Sequence, residues 1–340
     1  MRFRVDAIAV IAVLLCAVIV VGEVLTYSQV HHYDASAEWN ENTVDFTVSS
    51  SGSDRYDAVL IDNHGRVPVD EVFIYEDETY DEYFREASGV STPEYTDQEV
   101  ASNDYTKYLN ARSFDNVSSG GEEGLLSYLT GSASPSGKGL IVTSYALPSS
   151  VYDCTEDCIL VEWLNAGGTL YWMHSEVGRF YVDEHGLQWT DGPSILLGDA
   201  YQNTSGASAA ESRIENGFTE ALCLKDSHMR NALCVDDVPG SIRMGYSVDQ
   251  YASIAGIPFG EGQIFVLSGK YDFDLTDDLA QLIASGITVS SEVVSHLTGT
   301  VTRGTVQSEM DVVESKTSIL YVYVGGTYTK YGETFHGRCV

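Results

Sequence analysis

Positively charged residues are scarce in this chain. Among its 340 residues, 18 lysines and arginines stand against 50 aspartates and glutamates, which gives a formal net charge of -32. A surface this negative repels phosphate backbones, so the composition excludes nucleic acids as partners. Because the carboxylates are spread along the chain, they favour a solvated acidic surface, as in a saline habitat, over one that attracts cations or basic partners.

A phosphate-binding glycine loop is also missing. Gly260 and Gly262 precede a predicted strand instead of opening a helix, so their amides do not form an anion nest. We therefore predict no bound cofactor. Hydrophobic residues, in contrast, make up 44% of the chain, which is enough for a sizeable buried core and argues against a disordered protein.

The N-terminal segment contains a long apolar run. Arg2 and Arg4 are followed by Ala7–Gly22 without a charge, and Val5–Leu25 as a helix would span about 30 Å, the thickness of a bilayer core. The two arginines place the N-terminus in the cytoplasm and the bulk of the chain outside it. A cleaved signal peptide is the alternative, but no small-x-small site follows the run. The sequence thus predicts an uncleaved anchor and a single-pass protein of the cell membrane.

Two further features fit an extracytoplasmic glycoprotein. Asn116 and Asn203 each begin an Asn-x-Ser/Thr glycosylation acceptor. Of the six cysteines, Cys223 and Cys234 close a short loop and are predicted to form a disulfide. Cys16 lies in the predicted anchor, so the other five cannot all pair internally, and the remaining connectivity stays open.

The periodicity of apolar residues divides the chain into a membrane anchor (1–30), a β segment (31–70), an α/β domain (71–288) and a C-terminal β-rich module (289–340). In the α/β domain, Gly139–Tyr145 is a continuously apolar strand of the kind buried in a parallel sheet. Capping-box spacing at Ser150 predicts a helix from there to Gly167, and Ser194–Ala200 is predicted to be a strand. Another helix is predicted from about Asp277 to Ser285, and residues 89–137 are interpreted mostly as surface connections with a helix at 125–129. Alternation in the C-terminal module predicts antiparallel strands that pair with those near residues 43–62.

Two segments of the α/β domain carry a family resemblance. LVEWLNAGGTLYWMHSEVG (160–178) and PFGEGQIFVLSGKYDFD (258–274) combine a helix, a double glycine, a hydrophobic strand and a later Gly-x-Gly turn before another strand. This arrangement resembles the class I glutamine amidotransferase-like superfamily, in particular its ThuA-like and ABC-transporter-auxiliary branches. The resemblance implies an α/β fold with a flavodoxin-like, mostly parallel sheet. To this sheet we add a small antiparallel β module formed by the chain ends and an N-terminal transmembrane helix.

The catalytic machinery of that superfamily is not retained. Where catalytic members have a glycine-flanked cysteine, this sequence has Met173, His174 and Ser175, and such bulky neighbours do not suit a nucleophile elbow. The loop where a catalytic histidine is expected reads Ser268-Gly269-Lys270. Without the nucleophile and the base, the amidotransferase mechanism is absent.

Three polar residues nevertheless follow the buried strand, at the place where α/β proteins keep their chemistry. His174, Ser175 and Glu176 are candidates for a binding rim, or for the catalytic residues of a hydrolase. The structural alternative is that His174 hydrogen-bonds a backbone carbonyl and Glu176 faces water. Adjacent residues rarely aim at one another from a strand end, which favours binding over hydrolysis.

Two groups of side chains are candidate metal ligands. The group suited to zinc comprises His174, Glu176, Asp183 and His185. The group suited to calcium comprises Asp272, Asp274, Asp277 and Asp278. Neither group has a known ligand spacing, and aspartates at a helix start also offset the helix dipole. We therefore predict no bound metal.

These observations together predict a non-catalytic, membrane-anchored extracytoplasmic protein with a binding or scaffolding role, as an accessory to a transporter or envelope complex. The expected partners are other membrane or envelope proteins and a surface ligand such as a glycan. One alternative is an enzyme, a surface hydrolase acting on glycans or related polymers. Another is a structural envelope component that self-associates through its C-terminal strands.

Overall fold

The computed structural model describes residues 32–77, 98–131, 134–173, 177–190, 194–198, 222, 233–234, 238–248, 251–267, 273–312, 318–324 and 327–332. Strands predominate in this part of the chain and form three sheets. Two of the sheets are large and carry most of the buried core, and the third is a small one beside the largest.

The largest sheet has eight strands and is mixed. Its parallel part runs in the order β13 (Gly262–Leu267), β7 (Thr169–Trp172), β5 (Lys138–Val142), β3 (Glu71–Tyr75) and β4 (Val117–Gly120). Antiparallel strands extend it beyond β13, namely β12 (Tyr251–Phe259), β11 (Ile242–Val248) and β10 (Leu233–Cys234). Its central strands are continuously apolar because helices cover both faces.

The helices that flank this sheet in the described residues are α1 (Gln98–Asn110), α2 (Glu122–Thr130), α3 (Ile159–Asn165) and α4 (Phe273–Ser285). Tyr105 of α1 and Leu279 of α4 belong to the core on one face of the sheet. Leu125 of α2 and Leu160 of α3 belong to the core on the other face. The sheet is therefore sandwiched between two helical layers.

The second sheet is antiparallel and bends over its own core. It comprises β1 (Tyr33–Trp39), β2 (Thr43–Asn63), β14 (Ser291–Asp311), β15 (Ser318–Val324) and β16 (Thr327–Gly332). Strands β2 and β14 each have 21 residues and pair along their length, with register shifts between Val293 and Ser295 and between Thr302 and Gly304. The bend brings Phe46 from one half of β2 against Tyr56 from the other, with ring centroids 6.2 Å apart.

A buried set of hydrogen bonds joins the two large sheets, and we call it the junction network. Asn63, at the end of β2, donates from Nδ2 to the Gly286 carbonyl oxygen at 3.1 Å and accepts from the Ser291 hydroxyl. Gln263 of β13 accepts from the Val289 N–H at 2.8 Å. Because these polar groups are buried, they have lost their hydrogen bonds to water, and the bonds within the network replace them.

The predicted fold class is wrong in its main features. Instead of a mostly parallel flavodoxin-like sheet, the described residues form a mixed sheet. The predicted antiparallel pairing of C-terminal strands with residues 43–62 is present, but it builds a large, long-stranded sheet and not a small module. The hairpin of β11 and β12 was not predicted, because the small residues in IRMGYSV and YASIAGIPF hide the alternation that marks a strand.

Two local predictions in the α/β region also differ from the structure. Residues 149–158 form turns, and the helix begins only at Ile159. Cys154 has a φ of +62°, and the Asp153 carboxylate accepts the Thr155 N–H at 3.1 Å, an arrangement that competes with a helix. Residues 194–198 form a turn closed by a bridge between Ser194 and Gly198, not a strand.

None of the described helices is long and apolar enough to cross a membrane. On this finding the prediction of a single-pass membrane protein with an extracytoplasmic bulk is corrected, and no location is assigned to the chain. The segment on which that prediction rested, residues 1–30, lies outside the described residues.

Candidate functional site

The carboxyl edge of the parallel strands is the part of the fold where a site was predicted. Strand β5 is followed there by the buried residues Thr143 and Ser144, and β7 by buried Met173. The Ser144 hydroxyl donates to the Ala146 carbonyl oxygen at 2.6 Å. This hydrogen bond lies in the bend between β5 and the next strand, which begins at Ala146. His174, Ser175 and Glu176, the predicted rim, lie outside the described residues and stay predictions.

The small third sheet adjoins this edge. It consists of β6 (Ala146–Pro148), β8 (Phe180–Asp183) and β9 (Gly186–Trp189), in which β8 pairs parallel to β6 and antiparallel to β9. The chain therefore passes from β5 into β6, and from β7 through the predicted rim into β8. Anything bound at the carboxyl edge lies beside this sheet.

Gly178 anchors the start of β8. Its carbonyl oxygen accepts from the Tyr152 hydroxyl at 2.6 Å and lies 3.6 Å from the Cys154 sulfur. Its φ is +68°, and a Cβ there would lie 2.5 Å from the Ser194 hydroxyl oxygen and 2.9 Å from the Tyr152 hydroxyl oxygen. These contacts leave no room for a side chain and fix the β8–β9 hairpin to the larger fold.

The two cysteines of this turn are thiols with little nucleophilic character. Cys154 is half-buried and Cys158 is buried, and both are unpaired in the structure. Burial raises the pKa of each thiol, and the neighbouring Asp153 carboxylate raises it further. Since a thiol reacts as its thiolate, a raised pKa lowers its reactivity near neutral pH.

We expect these two thiols to react slowly with Ellman's reagent at pH 8 in the folded protein, and faster as the pH rises above the ordinary range of a cysteine. The measurement uses a variant in which the other four cysteines are serine. The same variant in urea is the control and should react at the rate of free cysteine. Equal rates in the folded and unfolded protein would show that burial does not suppress the thiolate.

One side of the small sheet carries a row of apolar and aromatic side chains, which we call the aromatic face: Tyr145, Phe180, Val182, Leu187 and Trp189. Phe180 lies directly opposite Trp189, and its ring meets that of Tyr145 edge-on at a centroid distance of 6.3 Å. Trp189 is 62% exposed. A tryptophan this exposed beside half-buried aromatic rings marks a contact surface more often than a core.

Polar groups at the hairpin tip border the aromatic face. Asp183 accepts from the His185 N–H at 2.7 Å and from the Gln188 amide at 3.3 Å. His185 is exposed, and its Nε2 lies 3.5 Å from a Glu184 carboxylate oxygen. The tip therefore exposes carboxylate and imidazole groups on the same hairpin as the rings.

Several of the predicted metal ligands lie outside the described residues, namely His174, Glu176 and Asp272. Of Asp274 only the backbone, in the first turn of α4, is described. His185 stands at the exposed hairpin tip beside Asp183. Within the described part of the chain, no group of three His, Cys, Asp or Glu side chains could hold a metal ion. The predicted ligand groups therefore stay predictions.

The other predicted modification sites fall in different places. Asn116 is exposed, and its side chain donates to the Asp70 carbonyl oxygen at 3.2 Å. Asn203 and Cys223 lie outside the described residues, and of Cys234 only the backbone, in β10, is described. The predicted disulfide and glycosylation therefore stay predictions.

A cleft of about 780 Å³ opens on the exposed side of the antiparallel sheet. Glu38, Asp45 and Glu309 line it from three adjacent strands, in one row across the sheet. The Asp45 carboxylate accepts from the Asn40 amide at 2.8 Å. Sequence reasoning missed this row, because its members are far apart in the chain and meet only through strand pairing.

Comparisons with known proteins give no family for this chain. No protein-family model and no curated protein matches it. The GH42 β-galactosidase Gan42B from G. stearothermophilus is 19% identical over 63% of this chain and 29% of its own, with a TM-score of 0.41. The exo-β-1,4-mannosidase Op5Man5 from Opitutaceae bacterium strain TAV5 is 15% identical over 65% and 35%, with a TM-score of 0.33.

A β-galactosidase from Rahnella sp. R3 is 18% identical over 64% of this chain and 31% of its own, with a TM-score of 0.37. The chain thus spans about a third of the length of these solved structures. At this level of likeness these structures assign no function. The predicted glutamine amidotransferase-like resemblance is corrected, because no family model matches the chain and its largest sheet is mixed instead of mostly parallel.

Proposed function

We propose that this protein is a non-catalytic binding protein that holds a neutral glycan on its aromatic face. The observation that carries the proposal is the exposed ring of Trp189 beside Phe180 at the carboxyl edge of the parallel strands. Flat rings exposed next to polar groups are suited to a ligand with both an apolar and a polar side.

A sugar ring is such a ligand. One side of a pyranose presents C–H groups that pack against an aromatic ring, and its rim presents hydroxyls that donate to carboxylates. Trp189 and Phe180 supply the ring surface, and the hairpin tip with Glu184 supplies an acceptor. The two rings form neighbouring positions across β8 and β9, which fits a chain of sugars better than a single one.

The support beneath the face favours binding with little reorganisation. Gly178 is held by Tyr152 and packed against Ser194, so the hairpin that carries the rings is fixed before a ligand arrives. Preorganised surfaces lose less conformational entropy on binding, which raises affinity. Aromatic side chains add to this effect because they have few rotatable bonds.

The charge of the protein selects the kind of glycan. With a formal net charge of -32, the chain repels anionic polymers such as sulfated or uronic-acid polysaccharides. Its ligand is therefore a neutral polymer. This also fits the scarcity of arginine and lysine, the residues that bind acidic sugars.

The Trp189→Ala variant is expected to weaken glycan binding by at least about tenfold, or 1.4 kcal/mol, because it removes the most exposed ring of the face. Isothermal titration of the full-length protein with neutral hexasaccharides of β-linked glucose, galactose, mannose and N-acetylglucosamine measures this. Tyr33→Ala is the matched control, since Tyr33 is another exposed aromatic residue but lies on β1 of a different sheet. Equal losses in both variants, or no binding to any of these sugars, would refute the proposal.

The same samples separate binding from hydrolysis. Reducing ends are measured after prolonged incubation with each hexasaccharide. A binding protein leaves the sugar intact. If the wild-type protein releases shorter sugars and the Glu176→Gln variant does not, the protein is instead a glycan hydrolase. Glu176 is the residue to change because it belongs to the predicted rim.

A further inference from the structure

Strand β14 forms a long edge of the antiparallel sheet. Over its 21 residues it pairs with β2, and no other described strand pairs with its opposite side. An edge of this kind presents unpaired backbone N–H and C=O groups, which are a template for another strand. Strand β14 contains neither proline nor lysine, the residues that commonly block such pairing.

The second half of this edge has one apolar residue at the rim of the core. In Gly304–Met310, Val306 is only partly buried and packs against the core that contains Met310. The alternate residues Thr305, Gln307 and Glu309 are exposed. A further strand beside β14 would finish the burial of Val306 and leave the polar residues in water.

The charges on this segment complement one another when the segment meets its own copy. Antiparallel pairing centred on Val306 places Thr305 opposite Gln307, and Arg303 opposite Glu309, of the second chain. Two-fold symmetry makes each pair occur twice. Arg303 and Glu309 are both exposed, and in the described part of the chain neither has an ion-pair partner. Arg303 has a φ of +42° and lies in the register shift between Thr302 and Gly304, so it flanks the regular segment Gly304–Met310.

We propose that two copies of this chain associate by antiparallel pairing of β14 with β14, centred on Val306. Arg303 and Glu309 lie at equal distances in sequence on either side of Val306, and this match points to a second copy, because self-pairing places each of them opposite the other. The aromatic face lies on another sheet, so this association is independent of glycan binding.

The net charge makes the association depend on salt. Two chains with a formal charge of -32 each repel one another at low ionic strength. At 1 M salt the Debye length falls to about 3 Å, which screens this general repulsion while Arg303 and Glu309 remain in direct contact. We therefore expect dimers in 1 M sodium chloride and mostly monomers in dilute buffer.

Sedimentation velocity of the full-length chain over a range of concentrations in 1 M sodium chloride tests the proposal. The Arg303→Glu variant puts two glutamates opposite each other and is expected to weaken the dimer at least tenfold. The double variant Arg303→Glu, Glu309→Arg restores opposite charges in the same register and is expected to recover the wild-type dissociation constant. Both positions are exposed, so the fold is not at risk.

Three results would overturn the proposal. One is a wild-type protein that stays monomeric at every concentration in high salt. The second is an Arg303→Glu variant that associates like wild type, since the contact then lies elsewhere. The third is a double variant that stays as weak as the single one, since register-specific pairing of Arg303 with Glu309 requires rescue.

Discussion

The Gly262→Ala variant is expected to lose about 3 kcal/mol or more of its free energy of unfolding, because a side chain at this position meets backbone on two sides. A Cβ there would lie 2.2 Å from the Gly168 carbonyl oxygen and 2.3 Å from the Leu164 carbonyl oxygen. Neither oxygen can rotate away as a side chain would, so β13 has to move away from β7 and α3.

The surroundings of Gly262 oppose that movement. Arg66 donates to the carbonyl oxygens of Glu261 at 2.7 Å and of Gly262 at 2.6 Å, and the Gln263 N–H donates to Gly168 at 3.1 Å. The variant must therefore strain these bonds or break them. Urea unfolding followed by circular dichroism measures the loss. Gly120→Ala is the control, since its Cβ would make an ordinary contact at 3.5 Å with the Phe73 ring. Equal urea midpoints of unfolding for the two variants would contradict the close packing around Gly262.

The Gln263→Leu variant is expected to lose about 3 kcal/mol, since two buried hydrogen bonds disappear while the volume stays similar. Gln263 is 2% exposed, accepts from the Val289 N–H at 2.8 Å and donates to the Thr169 hydroxyl at 3.0 Å. The leucine leaves both partners buried without water. Leaving a buried donor unsatisfied is more damaging than losing a surface hydrogen bond.

This variant also tests whether the two large sheets unfold together. Gln263 belongs to the mixed sheet and Val289 precedes β14 of the antiparallel sheet, so the bond between them joins the sheets. Gln307→Leu, at an exposed position of β14, is the matched control and should unfold like wild type in dilute low-salt buffer. A Gln263→Leu protein with wild-type stability would show that the junction network does not hold the sheets.

The buried parallel strands were predictable because their sequences are continuously apolar. GLIVTSY, TLYWMHS and QIFVLS predict β5, β7 and β13, and the structure confirms these strands. The helix before β14 was also predicted, although it begins at Phe273, before the Asp277 expected from its cap. A long apolar run bounded by glycines suits few structures other than a buried strand or helix. The local preference of its residues and their burial therefore predict the same element.

Elements that depend on tertiary packing escaped prediction. The sequence QEVASNDYTKYLN of α1 is mostly polar, and of its described side chains Tyr105 and Leu109 are the buried hydrophobic ones, so composition alone predicts a surface connection. The turn at Cys154 was interpreted as helix, because side-chain hydrogen bonds of Asp153 are not visible in a periodicity. Family resemblance failed for a similar reason, since short motifs of strand and glycine occur in many α/β folds.

The aromatic face could not have been found from the sequence. Trp189 ends the segment GLQW, which has the composition of an ordinary buried strand, and nothing in it says which side the ring occupies. Its exposure follows from the pairing of β8 with β9 and from the way Gly178 sets the hairpin against the larger fold. Side-chain direction in a strand is decided by register, which only the structure supplies.

Acrylamide quenching of tryptophan fluorescence, with and without a saturating neutral hexasaccharide, is the measurement to make on the wild-type protein. Of the four tryptophans, Trp163 and Trp172 are buried, Trp39 is half-buried, and Trp189 is 62% exposed. If a glycan covers the aromatic face, the sugar should protect the protein from the quencher, and Trp189→Phe should abolish the protection. Quenching that is unchanged by a sugar that binds would place the ligand elsewhere and contradict a glycan site at Trp189.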